Sequence, residues 1–220
     1  MTDLPYETLT IALRRTLPMA RIEVQPLPGC ESIRLGLINA DFPLGPLPAE
    51  VMHAVLAAPA YWAFCWGSGL ALARLLVNDP GLVRGQSVVD LGSGSGVVAI
   101  AAKRCGARRV IACDTDADAR RATRANAALN GLDIDVVERL EEAGTGHDVL
   151  LMADVLYDAT NLPLLDAARA VASRLVVADS RIDSLPVDGF VRFADIDART
   201  FPNLGEFDEF RTVHMFRHGF

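Results

Sequence analysis

The stretch DLGSGSGVVAIAAKRCG, residues 90–106, decides the fold. It follows the apolar run SVV, carries glycine at three alternate positions, and continues directly into an alanine-rich helical pattern. Glycine lets the backbone turn tightly and come close to a ligand, and the free N–H groups at the start of a helix face such a ligand. The stretch therefore predicts a strand, a ligand-binding loop and a helix, in that order.

Apolar strands and helical patterns alternate from residue 86 onward. Strands are predicted at 87–91, 109–113, 133–137, 147–153 and 173–179, with helices at 96–104, 116–129 and 161–172. Such alternation is typical of a parallel sheet covered by helices on both faces. Two late segments, 189–198 and 211–218, predict strands that add an antiparallel hairpin at the sheet edge.

The residues before this alternation predict an extension and two further helices. Residues 1–48 are interpreted as an N-terminal unit with a helix at 6–17 and a β-hairpin at 21–39. Residues 49–220 then form the main domain, which begins with helices at 49–57 and 69–77.

Composition narrows the class of protein. The 220 residues carry a net charge of −7, which gives no general attraction to nucleic acid or to an anionic membrane. The four cysteines form no CxxC pair, so we expect free thiols in a reducing, cytoplasmic compartment. No signal-peptide pattern opens the sequence. The uncharged stretch 55–73 is broken by proline and glycine, so we interpret it as buried loop and helix rather than a membrane span.

Two acids sharpen the prediction for the glycine loop. Asp90 ends the strand before the loop, where a carboxylate would repel a pyrophosphate but suits a cationic amino-acid group. Asp114 ends the next strand, where an acid binds ribose hydroxyls in a βαβ unit. Together they indicate S-adenosylmethionine, a nucleoside that carries a cationic amino acid. Asp114 also fits the N-cap of the following helix. No metal-ligand spacing is present, so we expect no metal.

With these residues in place, the chain resembles the seven-stranded, class I methyltransferases, and within them family 16 of the protein-lysine methyltransferases. The resemblance spans most of residues 60–165. It rests on three motifs, YWAFCWGSGLALARLLVNDP at 61–80, VVDLGSGSGVVAIAAKRCGARRVIACDTD at 88–116, and ADVLYD at 153–158. It implies a Rossmann-like, mostly parallel seven-stranded sheet and S-adenosylmethionine as the cofactor.

The resemblance also implies roles for individual residues. Asp154 and Tyr157 of the D-x-x-Y motif would stand at the methyl-transfer site as catalytic residues. The glycine loop would wrap the methionine end of the cofactor, Asp114 its ribose, and Leu140 would replace an aromatic lid over the adenine. The full set of implied cofactor contacts is Trp66, Asp90, Gly92, Ser93, Gly94, Gly96, Asp114, Thr115, Leu140 and Ala153. Trp62 is interpreted as core packing.

The activity that the resemblance implies is transfer of a methyl group to a lysine of a protein, with the electron-transfer flavoprotein beta subunit as the expected substrate. Other methyl acceptors stay open, namely a ribosomal protein or a small amine such as nicotinamide. A nicotinamide-dependent oxidoreductase is a remoter alternative, because Asp90 and the G-x-G-x-G spacing weigh against it. We expect a monomer with no nucleic-acid or membrane partner.

Overall fold

A computed structural model describes residues 4–43, 45–203 and 211–220, and a seven-stranded sheet forms its centre. The sheet strands are β3 (Ser87–Leu91), β4 (Arg109–Cys113), β5 (Asp135–Val137), β6 (His147–Ala153), β7 (Ala172–Asp179), β8 (Val191–Asp197) and β9 (Thr212–His218). Their order across the sheet is β5-β4-β3-β6-β7-β9-β8. Strands β5, β4, β3, β6 and β7 run parallel, whereas β9 pairs antiparallel with both β7 and β8. The predicted mostly parallel sheet with an antiparallel C-terminal hairpin is confirmed.

Helices cover both faces of this sheet. They are α1 (Leu4–Leu13), α2 (Ala49–Ala57), α3 (Gly67–Asn78), α4 (Val97–Arg104), α5 (Ala117–Leu129), α6 (Leu140–Ala143) and α7 (Leu164–Val171). On one face Leu72 and Ile100 pack against Val88 of β3. On the other face Leu165 of α7 packs against Val89. All five residues of β3 are buried, as expected for a strand covered on both sides.

Some helix boundaries differ from the prediction because local geometry ends them. The helix predicted at 6–17 ends at Leu13, and a turn precedes Pro18. Leu17 nevertheless reaches the same apolar cluster as Leu9 and Leu13. The helix predicted at 161–172 begins at Leu164, because Pro163 occupies its N-cap and a short 3-10 turn precedes it. The strand predicted at 133–137 pairs only over Asp135–Val137.

The N-terminal hairpin packs into the main core. Its strands are β1 (Ile22–Leu27) and β2 (Cys30–Ile38), which form a separate antiparallel sheet. Leu35 and Leu37 of β2 are fully buried in the same cluster as the side chains of α3 and α4. The division of the chain at residue 48 stays a prediction, and the hairpin is joined to the sheet domain through shared apolar packing.

The uncharged stretch 55–73 is divided between the end of α2, a 3-10 turn at Tyr61–Ala63 and the start of α3. Trp62 is buried in the core, as interpreted from the sequence. Within the described ranges no helix has the length and apolar character to cross a membrane. The four cysteines are free thiols, as expected.

Candidate active site

The glycine loop joins the carboxyl end of β3 to α4. Gly92, Gly94 and Gly96 have φ angles of 75°, 51° and 83°, a left-handed region that glycine adopts without strain. A Cβ on Gly92 would lie 2.6 Å from Cγ2 of Val155, whereas a Cβ on Gly94 would meet nothing within 4 Å. A side chain at position 92 would therefore clash with Val155, whereas one at position 94 would meet open space. Backbone there is accessible to a ligand.

Asp114, just after the neighbouring strand β4, accepts a hydrogen bond from the backbone of this loop. Its Oδ2 accepts a hydrogen bond from the Gly94 amide at 2.8 Å, and its Oδ1 accepts one from the Asp116 amide at 2.9 Å. Burial raises the pKa of Asp114. The N-cap of α5 is Asp116, whose side chain accepts from the Asp118 amide, so the alternative interpretation of Asp114 as the cap is wrong. Each of its carboxylate oxygens keeps a further lone pair beyond these two bonds.

Thr115 follows Asp114 and is exposed. Its carbonyl oxygen accepts a hydrogen bond from Nη1 of Arg120 at 2.9 Å, as does the carbonyl oxygen of Asp114. Arg120 also pairs with Glu138 at 2.8 Å. The backbone of Asp114 and Thr115, two predicted cofactor contacts, is thus fixed from α5.

Asp90 lies beneath the loop with almost no solvent exposure. Its Oδ2 accepts a hydrogen bond from the Ala99 amide, in the first turn of α4, at 3.0 Å. Burial raises the pKa of Asp90 to about 7. The carboxyl group therefore ties β3 to the start of α4, and its predicted contact with a cationic amino-acid group stays a prediction.

Ser93 and Gly96 bring α5 against the loop. The hydroxyls of Ser93 and Thr123 lie 3.2 Å apart, and the Thr123 hydroxyl also donates to the Gly94 carbonyl oxygen at 3.2 Å. A Cβ on Gly96 would lie 3.1 Å from Cα of Thr123. Ser93 can therefore face a ligand only through its backbone, because its side chain is turned into the protein.

Leu140 is the first residue of α6 and is buried. It packs in the cluster that includes Leu91 and Cys113, at the ends of the strands that carry Asp90 and Asp114. An apolar side chain thus packs with the strand residues that adjoin the two acids, and the predicted role of Leu140 as a lid over the adenine stays a prediction.

Asp154 follows the last residue of β6, Ala153, which pairs with Ala178 of β7. Asp154 has a φ of 55°, the one described non-glycine residue with positive φ. Its Oδ1 accepts from the Ser68 hydroxyl at 2.6 Å, and its Oδ2 accepts from the Ser68 amide at 3.1 Å. Burial raises the pKa of Asp154 to about 6. The start of α3 therefore aims this carboxyl group.

An aromatic cluster borders the same edge of the sheet. The rings of Tyr61 and Trp66 lie 5.7 Å apart in a T-shaped arrangement, and those of Tyr61 and Tyr157 lie 5.9 Å apart. Nε1 of Trp66 donates to the Tyr61 carbonyl oxygen at 2.8 Å. Tyr61 and Tyr157 are 47% and 54% exposed, so their rings are available to a substrate side chain.

The structure thus gathers most of the predicted residues at the carboxyl ends of β4, β3 and β6, and it adds others that sequence reasoning missed. Tyr61 is in the same aromatic motif as Trp66. Asp179 ends β7 in the sequence LVVAD, as Asp90 and Asp114 end their strands, so the pattern of acids at strand ends pointed to it. Ser68 and Arg181 carry no sequence signal of their own, because their contacts with Asp154 join distant parts of the chain.

The fold occurs in known methyltransferases. The magnesium protoporphyrin IX methyltransferase of Synechocystis, solved with bound S-adenosylmethionine, superposes with a TM-score of 0.52 at 16% identity, covering 79% of this chain and 84% of that one. The family model of the ribosomal protein L11 methyltransferase (PrmA) matches residues 74–174. The chain has the fold of the class I methyltransferases. The Synechocystis enzyme binds S-adenosylmethionine with this fold.

Two groups of curated relatives are similar to this chain. The electron transfer flavoprotein beta subunit lysine methyltransferase of Rattus norvegicus is 39% identical over 127 residues, which are 54% of this chain and 50% of the rat protein. The ribosomal protein L11 methyltransferase of Symbiobacterium thermophilum is 40% identical over 92 residues, 41% of this chain and 29% of that protein. The chain therefore spans half or less of the length of these relatives.

Proposed function

We propose that the chain is an S-adenosylmethionine-dependent protein-lysine N-methyltransferase. The observation that carries the proposal is the Asp154 carboxyl group, fixed by Ser68 at 2.6 Å and 3.1 Å and followed three positions later by Tyr157, whose exposed ring lies 5.9 Å from that of Tyr61. A carboxylate next to aromatic faces suits an amine that becomes a cation when it is alkylated. Few other nucleophiles need both groups.

The residues at the loop fit the cofactor. Gly94 leaves open space where a side chain would stand, which allows the methionine end of the cofactor to approach the backbone. Asp114 keeps lone pairs beyond its bonds to the Gly94 and Asp116 amides, which suits two ribose hydroxyls. Leu140 supplies an apolar contact beside them. Bound there, S-adenosylmethionine supplies an electrophilic methyl carbon.

The chain's own residues then prepare the nucleophile. Only a neutral amine has the lone pair that attack requires, and partial desolvation beside Tyr157 lowers the pKa of a lysine. Asp154 accepts an N–H of this amine through its free lone pairs and thereby aims the nitrogen. The rings of Tyr61, Trp66 and Tyr157 face the charge that develops on the nitrogen. Positioning supplies much of the rate, and solvent can take the released proton.

The substrate that we propose is the electron-transfer flavoprotein beta subunit. The support is the 39% identity to the rat enzyme over 127 residues. Methylation of ribosomal protein L11 is the second candidate, supported by the PrmA family match and by the relative from Symbiobacterium.

The test is incubation of the purified chain and S-adenosylmethionine with each purified acceptor, followed by mass spectrometry of the acceptor lysines. Lys103 is the only lysine of the chain, so self-methylation is confined to one side chain and the N-terminus. Asp154→Ala should abolish transfer, and Asp166→Ala, the same change on the exposed face of α7, should not. Transfer to L11 alone would reject the flavoprotein, and stabilisation by NADH but not S-adenosylmethionine would reject the activity.

A further inference from the structure

Arg181 places a positive charge beside the proposed amine acceptor. Its Nη1 lies 3.8 Å from Oδ1 of Asp154. The Arg181 side chain is 37% exposed, whereas that of Asp154 is 13% exposed. Ser68 already donates to both oxygens of the same carboxyl group. Asp154 therefore already has a cationic partner and two hydrogen-bond donors before an amine arrives.

Asp179 holds Arg181 in this position. It ends β7, next to the strand that carries Asp154, and its Oδ1 accepts a hydrogen bond from the Arg181 amide at 2.8 Å. Asp179 is fully buried, and its Oδ2 has no hydrogen-bond partner within the ranges that the structure describes. A buried carboxylate oxygen without a partner is costly. The nearby positive charge of Arg181 offsets part of that cost and links the two residues.

Other titratable groups lie on the elements next to Asp179 and Arg181. His214 of β9 lies 3.2 Å from Asp183 and 3.0 Å from Asp195, next to Asp179 in the register of the sheet. Cys65 lies just before α3, which carries Ser68, and Tyr157 follows Asp154 by three positions. Arg181 lies within ion-pair distance of Asp154, where its positive charge opposes the effect of the neighbouring Asp179 carboxyl group, so an incoming amine meets a cation beside the accepting carboxylate.

An ammonium and a neutral amine respond differently to this arrangement. A protonated lysine would bring a second positive charge to a carboxylate that already has an ionic partner, and the two cations would repel each other. A neutral amine can donate an N–H to Asp154 without that repulsion. We propose that Arg181, positioned by Asp179, is a specificity-determining residue that makes Asp154 receive the substrate amine in its neutral form. This inference rests on the proposed methyl transfer to an amine.

The test removes the charge and keeps the fold. Arg181→Gln removes the guanidinium, Arg181→Lys keeps a positive charge, and Arg104→Gln removes an arginine at the end of α4, away from the site. The first measurement is the titration of the Asp154 carboxyl carbon by NMR. Its midpoint should rise by roughly one pH unit in Arg181→Gln, a tenfold change in the protonation equilibrium. Arg181→Lys and Arg104→Gln should leave it nearly unchanged. Arg181→Met serves if the glutamine variant unfolds.

The second measurement is binding of n-butylamine at pH 7, where the free amine is protonated, with S-adenosylhomocysteine present. Arg181→Gln should bind it about tenfold more tightly than the wild type. An unchanged titration midpoint of Asp154 in Arg181→Gln would overturn the role of Arg181. Equal affinity of Arg181→Gln and the wild type for n-butylamine would also overturn it, including the case in which neither protein binds the amine. Neither measurement uses methyl transfer, so a chain that methylates no protein could still show both effects. Failure of the proposed function can therefore be told apart from failure of the role of Arg181.

Discussion

Four aspartates end four neighbouring strands of the sheet, and burial raises the pKa of each of them. They are Asp90, Asp114, Asp154 and Asp179, on or just after β3, β4, β6 and β7. Buried carboxyl groups destabilise a fold unless something compensates for the lost hydration. Their gathering at the edge where class I ligands bind is therefore better explained by chemistry than by stability. Each acid can be tested for what it costs and for what it contacts.

Asp90→Asn should stabilise the protein in a pH-dependent way. The pKa of Asp90 is about 7 in the folded chain and about 4 in an unfolded one, so the folded state favours the neutral carboxyl. The contribution of the Asp90 carboxyl group to the free energy of unfolding is therefore fully present below pH 4, and it is lost as the pH rises through about 7. Asparagine keeps an acceptor for the Ala99 amide.

Thermal unfolding from pH 4 to pH 9 measures this effect. The melting temperature of Asp90→Asn should exceed that of the wild type above pH 7, and the gap should close near pH 4. Asp133→Asn, an exposed acid, serves as the control. A gap that stays constant across the range would mean that Asp90 carries no proton-linked cost.

Asp114→Ala should weaken S-adenosylmethionine binding at least tenfold without unfolding the protein. The variant loses an acceptor for two ribose hydroxyls and the bond that orders the Gly94 amide, and charge-assisted hydrogen bonds contribute about 1.5–3 kcal/mol each. Calorimetry measures the affinity. Asp116→Ala is the matched control, since it removes the N-cap of α5 and should cost about 1 kcal/mol of stability while affinity stays within a few fold. Equal affinity of Asp114→Ala and the wild type would remove Asp114 from the site.

Ser68→Ala should lower kcat more than it lowers cofactor affinity. The change removes the hydroxyl that donates to Asp154 at 2.6 Å, so the carboxylate loses its orientation while the glycine loop is untouched.

Asp154→Ala and Tyr157→Ala should abolish turnover with cofactor affinity within a few fold. Tyr157→Phe keeps the aromatic face and should retain most of the rate. If Tyr157→Ala methylates at the normal rate, the D-x-x-Y motif is structural here.

Asn126 of α5 joins the N-terminal hairpin to the glycine loop. Its Oδ1 accepts from the Gly36 amide at 2.7 Å and from the Tyr6 hydroxyl at 3.0 Å, and its Nδ2 donates to the Ser95 carbonyl oxygen at 2.9 Å. The side chain is fully buried. One residue therefore connects α1, β2 and the loop between β3 and α4, which links the extension to the site.

Asn126→Leu should destabilise the chain by about 2–4 kcal/mol, because it leaves several buried polar groups without partners. Urea unfolding measures the loss, and cofactor affinity should fall as the loop loosens. Asn130→Ala, at the C-cap of the same helix, is the control, since Asn130 bonds Arg34 of β2 near the surface and should cost about 1 kcal/mol. Similar losses from the two variants would show that the buried network at Asn126 has no special weight.

The elements of the sheet domain could be predicted because their signals are local. A buried apolar strand, a glycine loop and an alanine-rich helix are each visible within ten residues, as at 87–104. The site could be predicted where residues stand in a motif, as Asp114 and Tyr157 do. The clamp of Ser68 on Asp154 could not, because it joins residues 86 positions apart. The position of Arg181 depends on the pairing of β6 with β7, which the sequence does not specify.

At the scale of the whole molecule, charge is distributed unevenly along the direction of the strands. Basic residues gather where α4 ends and β4 begins, with Lys103, Arg104 and Arg108 close together in the chain. The four strand-end aspartates lie at the opposite edge of the sheet, with the exposed Asp158 beside Tyr157. Asp158 thus adds a solvent-exposed negative charge at the site edge of a chain of net charge −7. Such an edge favours encounter with a basic patch of a protein substrate.

Methylation of the flavoprotein beta subunit should therefore slow as ionic strength rises, chiefly through kcat/KM. Salt screens charges separated by more than about 8 Å at physiological ionic strength, so it weakens long-range steering more than contacts inside the site. A lysine within a basic loop also has a lowered pKa, which supplies more of the neutral amine. Initial rates from about 20 mM to about 300 mM salt, at saturating S-adenosylmethionine, separate kcat/KM from kcat.

Asp158→Asn should flatten the salt dependence, and Arg104→Gln, at the far end of α4, should not. A salt-independent kcat/KM would show that docking depends on shape and apolar contact instead.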